Sequence, residues 1–164
     1  MYDAAEMRYD LYMSHALSEA AGAVARGGRP DGAVIVIDDA MVASASDQVA
    51  SSGDPTAHAI IVALREAAAR MGQASLSGAT VFSVVEPCTM CLGALLQADA
   101  DGIVFALPDA VAGACGAVLR AAAGAGGANR LRVVSGILQE EARELGPDAV
   151  RAQAAAARGS SATR

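Results

Sequence analysis

The chain has 164 residues, of which 54% are hydrophobic, 3% aromatic and 18% charged, with a formal net charge of −6. That length suits one domain, and so high an apolar fraction excludes a disordered chain. All 12 cations are arginine, which excludes Schiff-base lysine chemistry and a Walker-type phosphate lysine, and the acidic balance argues against broad attraction to nucleic acid. No apolar run approaches the roughly 18 residues needed to cross a bilayer. Asp3 and Glu6 stand where a secretion signal would carry positive charge, so a cytoplasmic protein is expected.

Apolar residues at helical spacing (Leu11, Tyr12, Ala16, Leu17, Ala20, Val24) predict a helix over residues 3–25, stopped by the GGRP run at 27–30. GAVIVI at 32–37 reads as a buried strand, Asp38 and Asp39 as a turn, and AMVASA at 40–45 as the hairpin partner. The polar stretch 46–53 reads as a loop. Asp54 followed by Pro55 matches an N-cap with proline at the first helical position, predicting a helix from there to about Met71. ATVFSVV at 79–85 is the next strand, and Pro87 opens a helix running to about Ala98. GIVFAL at 102–107 is a third buried strand. Beyond Pro108 the pattern predicts a short helix over 109–119, a flexible loop over 121–128, a strand over 131–136 and a final helix from Ile137. Strands alternating with helices after an initial hairpin imply an α/β fold, a sandwich with a mixed sheet. One domain is expected over residues 1–150, with an Ala/Arg-rich tail at 151–164 that is partly helical and then frays.

The chain holds three cysteines and two histidines. An odd cysteine count without a secretion signal makes a thiolate metal site a better reading than a disulfide framework. Cys88 and Cys91 lie in PCTMC, at spacing that shares one face of a helix, and His58 lies 30 residues earlier in DPTAHA. A helix N-terminus favours thiolates through its dipole. One histidine nitrogen and two cysteine sulfurs supply three zinc ligands and leave a fourth tetrahedral position for water. The alternative is a closed structural zinc site, with Asp47 or Cys115 as the fourth ligand.

These residues sit in an ordered set: GAVIV at 32–36, DPTAHA at 54–59, EPCTMC at 86–91, VFALPDA at 104–110 and SGIL at 135–138. Together they resemble the cytidine deaminase-like superfamily, most of all its bacterial tRNA adenosine deaminase and guanine deaminase branch, over about residues 9–145. The resemblance implies a three-layer α/β/α sandwich with a five-stranded mixed sheet, a Zn2+ cofactor, a homodimer, and hydrolysis of an exocyclic amine on a small nucleobase, nucleoside or related heterocycle.

The superfamily signature is His-x-Glu, whose glutamate moves protons between the zinc-bound water, the ring and the departing ammonia. Here His58 and Ala59 are followed by Ile60, which carries no proton. A positioned acid/base typically contributes about 10²–10⁴-fold, or about 3–5 kcal/mol of barrier. Two thiolates also cancel the formal charge of the zinc, so the metal alone acidifies its water less. Three explanations stand: another acid substitutes, the protein is a ligand-binding or partner subunit, or position 60 has been altered deliberately. Asp47 is the first candidate for a surrogate acid/base, since it lies where relatives usually carry a substrate-binding asparagine; its other reading is a loop aspartate that sets a turn. Glu86 reads as structural, because relatives with the usual glutamate carry it too. Asp109 follows a strand at the edge where family pockets form, and its other reading is a helix cap.

The substrate-side set is therefore Asp47, Ile60, Phe105 and Asp109, and the metal set is His58, Cys88 and Cys91. Cys115 reads as a packed thiol and His15 as a helix-surface or packing residue. With two phenylalanines and three tyrosines in the chain, the pocket should be largely aliphatic. The acidic, lysine-free charge balance ranks tRNA below a small-molecule ligand.

Overall fold

The computed structural model describes residues 4–116 and 131–145, with side chains from Arg8 onward. Helix α1 (Ala4–Ala25) leads to strands β1 (Gly32–Ile37) and β2 (Ala40–Ser46), then α2 (Val49–Ser52), α3 (Ala59–Met71), β3 (Thr80–Val85), α4 (Thr89–Gln97), β4 (Gly102–Leu107), β5 (Arg132–Ser135) and α5 (Gln139–Glu144). The strands form one sheet in the order β2-β1-β3-β4-β5. Strand β1 runs antiparallel to both β2 and β3, while β3, β4 and β5 run parallel. This is the expected sandwich with a five-stranded mixed sheet.

Both faces of the sheet are covered, which is why its central strands read as continuous apolar runs rather than alternating ones. Ala33, Ile35, Val81, Ile103 and Phe105 pack with Ile60, Ile61, Leu64 and Leu92 of α3 and α4. Val34, Val36, Phe82, Val84 and Val104 pack on the other side with Tyr12, Met13, Ala16 and Ala20 of α1 and Ala142 of α5. Tyr9 meets Phe82 edge-on and Tyr12 meets it tilted, at centroid distances of 5.4 and 5.2 Å. That contact commits three of the five aromatic residues to the α1 face.

Local chemistry sets the element ends. Helix α1 stops where Gly28 N–H reaches Ala23 O and Gly27 N–H reaches Val24 O, with Gly27 at φ +76°, a Schellman ending. The β1–β2 turn puts Asp38 and Asp39 at φ +50° and +61°, the primed two-residue hairpin geometry.

Three predicted boundaries differ. The expected loop 46–53 contains the short helix α2. Helix α3 begins at Ala59, not at Pro55. Asp54 spends its Oδ1 on the Thr56 N–H (2.8 Å) and Thr56 hydroxyl (2.7 Å), closing a turn in place of capping the helix. Residues 110–112 form a turn where a helix over 109–119 is expected, and helical geometry starts only at Cys115. The predicted loop at 121–128, the tail at 151–164 and any extension of α5 past residue 145 lie outside the described residues.

Gly32 is where β1 meets α1. A Cβ there would lie 2.7 Å from Ala20 N and still closer to the Ala16 carbonyl oxygen. Backbone on both sides leaves nothing free to yield, so Gly32→Ala must push the helix off the sheet. The expected outcome is a loss of about 1–3 kcal/mol or more in urea unfolding. An unchanged midpoint would show that α1 does not seat on the sheet this closely.

Candidate metal centre

The pairing register brings several strand ends to one edge of the sheet. Gly32 faces Ser46 across the β1–β2 pair, Ala33 faces Ser83 across β1–β3, and Val85 faces Leu107 across β3–β4. Asp31, Asp47, Glu86 and Asp109 are thus neighbours of strand ends at the same edge. Asp47 N–H donates to Asp31 O (3.0 Å) and Gln48 N–H to Ala57 O (2.9 Å), which fastens the start of α3 beside this edge. Helix α4 arrives there directly from β3.

His58 is the N-cap residue of α3 and Cys88 that of α4, both with extended backbone. Cys91 follows one turn into α4. The His58 Nδ1 atom lies 3.7 Å from Cys88 Sγ and 3.6 Å from Cys91 Sγ. Ligand atoms of the three residues all lie within 4.8 Å of one another. A tetrahedral centre with Zn–N near 2.0–2.1 Å and Zn–S near 2.3 Å separates nitrogen from sulfur by about 3.5 Å, so this donor set fits zinc in both type and spacing. Asp47 and Cys115 do not belong to the group.

The sulfurs are electrostatically unequal. Hydrogen bonding from Cys91, followed by that from His58, outweighs burial and brings the Cys88 thiol down to about 3. Hydrogen bonding to Cys88 and burial both push the Cys91 thiol up. His58 is raised, chiefly by its contact with Cys88.

Around the triad, Ile60 occupies the second helical position of α3, 1% exposed, and packs in the same cluster as Cys91, Phe105 and Cys115. Phe105 is buried in β4 on that face. Asp47 is 4% exposed. Its Oδ1 accepts from Val49 N–H (3.2 Å), while its buried Oδ2 has no partner. Asp109 turns Oδ1 onto the N–H groups of Val111 (2.9 Å) and Ala112 (3.0 Å). The Glu86 carboxylate accepts from Asp109 N–H (3.0 Å) and Cys115 N–H (3.2 Å), so it organises the loop after β4. Cys115 is buried, its thiol pushed up to about 12 by burial first and Glu86 second. His15 lies elsewhere, in a shallow groove with Glu19, Met41 and Arg70.

Two residues at this edge escape sequence reasoning. The Arg29 guanidinium places NH1 3.2 Å from His58 Nε2, and its buried Nε has no partner. A guanidinium only donates, so it occupies the place where a zinc-bound histidine usually finds a hydrogen-bond acceptor. Asp31 is 8% exposed, and its Oδ1 accepts from Gly32 N–H (3.0 Å), Val85 N–H (3.3 Å) and the Ser83 hydroxyl (3.4 Å). Burial is the leading cause that pushes its carboxyl up to about 7. The available signal was RPD placed directly before a buried strand, two charges where the chain enters the core.

Residues 7–107 match the family model of the cytidine and deoxycytidylate deaminase zinc-binding region. The chain is 34% identical over 132 residues to the tRNA-specific adenosine deaminase of Bacillus subtilis, covering 80% of this chain and 82% of that one. It is 38% identical over 101 residues to the guanine deaminase of the same organism, covering 61% of this chain and 65% of that one. A solved structure from a study of A-to-I editing by tRNA:A34 deaminases superposes with a TM-score of 0.77 at 32% identity, covering 82% of this chain and 98% of that one.

Asp31 also yields a pH signature. Its carboxyl is raised from 3.8 to about 7, so between those values the folded chain holds a proton that the unfolded chain has lost. Stability then falls as pH rises through that window, by about 1.4 kcal/mol per pH unit. With a chelator present, wild type should lose stability relative to Asp31→Asn from pH 4 to 7 in urea unfolding. Parallel pH profiles would refute a buried, proton-holding Asp31.

Proposed function

Because the chain belongs to the zinc-binding cytidine and deoxycytidylate deaminase family, we propose that His58, Cys88 and Cys91 hold the Zn2+ and that the adjoining space takes a small nucleobase, nucleoside or related heterocycle. The reaction class is hydrolytic deamination, in which water replaces an exocyclic amine by an oxo group and ammonia leaves. Zinc in this family supplies an activated water and a Lewis acid. The chain's own residues must then bind the ring and move protons.

Ile60 moves none. Of the carboxylates near the site, Glu86, Asp109 and Asp31 all have backbone amides bonded to them. Asp47 alone among these four keeps a buried oxygen with no partner, and this observation carries the proposal that Asp47 is the surrogate acid/base. Asp47 also contacts the ring, with Ile60, Phe105 and Asp109 shaping the apolar and loop sides of the space. The homodimer and a cytoplasmic setting follow from family resemblance; no helix among the described residues is long and apolar enough to cross a membrane. Acidity and the absence of lysine favour a small ligand over tRNA.

A second reading rests on Ile60 itself. Its burial at 1% exposure within the apolar cluster fits a member that keeps the metal and serves as a ligand-binding or partner subunit.

Ammonia release from a panel of aminated bases and nucleosides separates the two, with zinc content and melting temperature as controls. On the enzyme reading, wild type turns over and Asp47→Asn loses about 10²-fold or more with zinc retained. Turnover by Ile60→Glu alone establishes the non-catalytic reading. Full activity in Asp47→Asn removes Asp47 as the proton carrier.

A further inference from the structure

Among the described residues, two buried side-chain polar atoms lack a hydrogen-bond partner: Arg29 Nε and Asp47 Oδ2. Both belong to the same small region. Arg29 touches His58 Nε2 at 3.2 Å, and Asp47 is joined through its amide to Asp31 O, two residues beyond Arg29. The neighbouring Gln48 is bonded to Ala57, next to His58. No ion pair joins Arg29 to Asp47 or Asp31 among the described residues. A buried polar group left unpaired is unfavourable by about 1–3 kcal/mol, and more when charged. Two such groups of opposite charge, flanking one candidate metal centre, are a built demand for a ligand.

The two demands differ in sign. Arg29 only donates, so it needs an acceptor; the unpaired Asp47 oxygen can accept, so a donor suits it. The aromatics Tyr9, Tyr12 and Phe82 are committed to the α1 face, so recognition here depends on hydrogen bonding more than on stacking. Building on the proposed heterocycle site, we infer that Arg29 is a specificity-determining residue which, with Asp47, selects aminated rings that also carry an oxo acceptor and a ring N–H donor. The contact of Arg29 with His58 gives way when Nδ1 takes a metal, which releases a further donor toward the same oxo group. A ring lacking the oxo group offers the guanidinium only a ring-nitrogen acceptor and lacks the adjacent N–H that Asp47 accepts, and a site built to bond polar groups discriminates against the analogue without them.

The test uses two matched probe pairs, guanine with 2-aminopurine and isocytosine with 2-aminopyrimidine. Each pair shares its ring system and amine and differs in the oxo group and its adjacent N–H. Binding to the zinc-loaded full chain is measured by calorimetry, with zinc content determined in parallel. Wild type should prefer the oxo member of at least one pair by tenfold or more. Arg29→Met and Arg29→Gln should abolish that preference, with zinc occupancy at or above the wild-type level. Asp47→Asn should weaken the oxo ligand. If wild type binds both members equally, or if the Arg29 variants keep the preference, the inference is overturned while the heterocycle site stands. If no probe binds zinc-loaded wild type, the heterocycle site falls and the inference with it.

Discussion

Asp31 ties together the three strands whose ends build the site. Its carbonyl accepts the Asp47 amide after β2, and its carboxylate accepts its neighbour Gly32 at the start of β1 and Val85 at the end of β3. That junction joins the end of β3 and the loop after β2 to the start of β1, and the Gln48 to Ala57 hydrogen bond and the core shared by α3 and α4 hold the two helices beside it. The residue is nearly sealed from solvent, so its hydrogen bonds face no competition from water and are strong for the reason that breaking one is costly. Burial also holds the carboxyl near neutrality, leaving a site support that is itself sensitive to protonation.

Above this junction the candidate metal ligands and the nearby carboxylates come from different segments. The triad uses two helix N-caps and one first-turn residue, positions whose backbone is set by helix geometry and whose side chains meet at 3.6–3.7 Å. The position two residues after His58 is filled by Ile60, which belongs to the core. Carboxylates are not scarce at this edge. Most of them are occupied: Glu86 holds the loop after β4, Asp109 closes a turn, and Asp31 holds the strands. Asp47 is different because its second oxygen is buried and unassigned. Arg29 supplies the opposite charge at the same edge, against His58, so the charged groups around the candidate metal centre come from the segments flanking the strands and not from α3.

Much of this was legible in the chain. The apolar runs at 32–37, 79–85 and 102–107 marked strands covered on both faces, and GGRP marked the end of α1 because glycine tolerates the left-handed ending seen at Gly27. The CxxC and HA motifs identified the three residues that the fold brings together. Helix α3 starts at Ala59, beyond the Pro55 that the sequence pattern favours, because Asp54 has a nearer use for its carboxylate, in a turn with Thr56. Sequence position shows that aspartate can cap, but it does not show which amide wins.

By itself, then, the sequence determined the strands and helices, which follow from local periodicity, and the three metal-ligand candidates, which follow from residue type and motif, while the five-stranded sheet and its three layers came from the family resemblance. Only the tertiary structure decided which charged residues are buried and which polar atoms remain unpaired. Asp31 becomes a buried keystone through Val85, 54 residues away, and Arg29 becomes a site residue through His58, 29 residues away. Desolvation depends on what the rest of the chain packs around a group, and no local pattern encodes that.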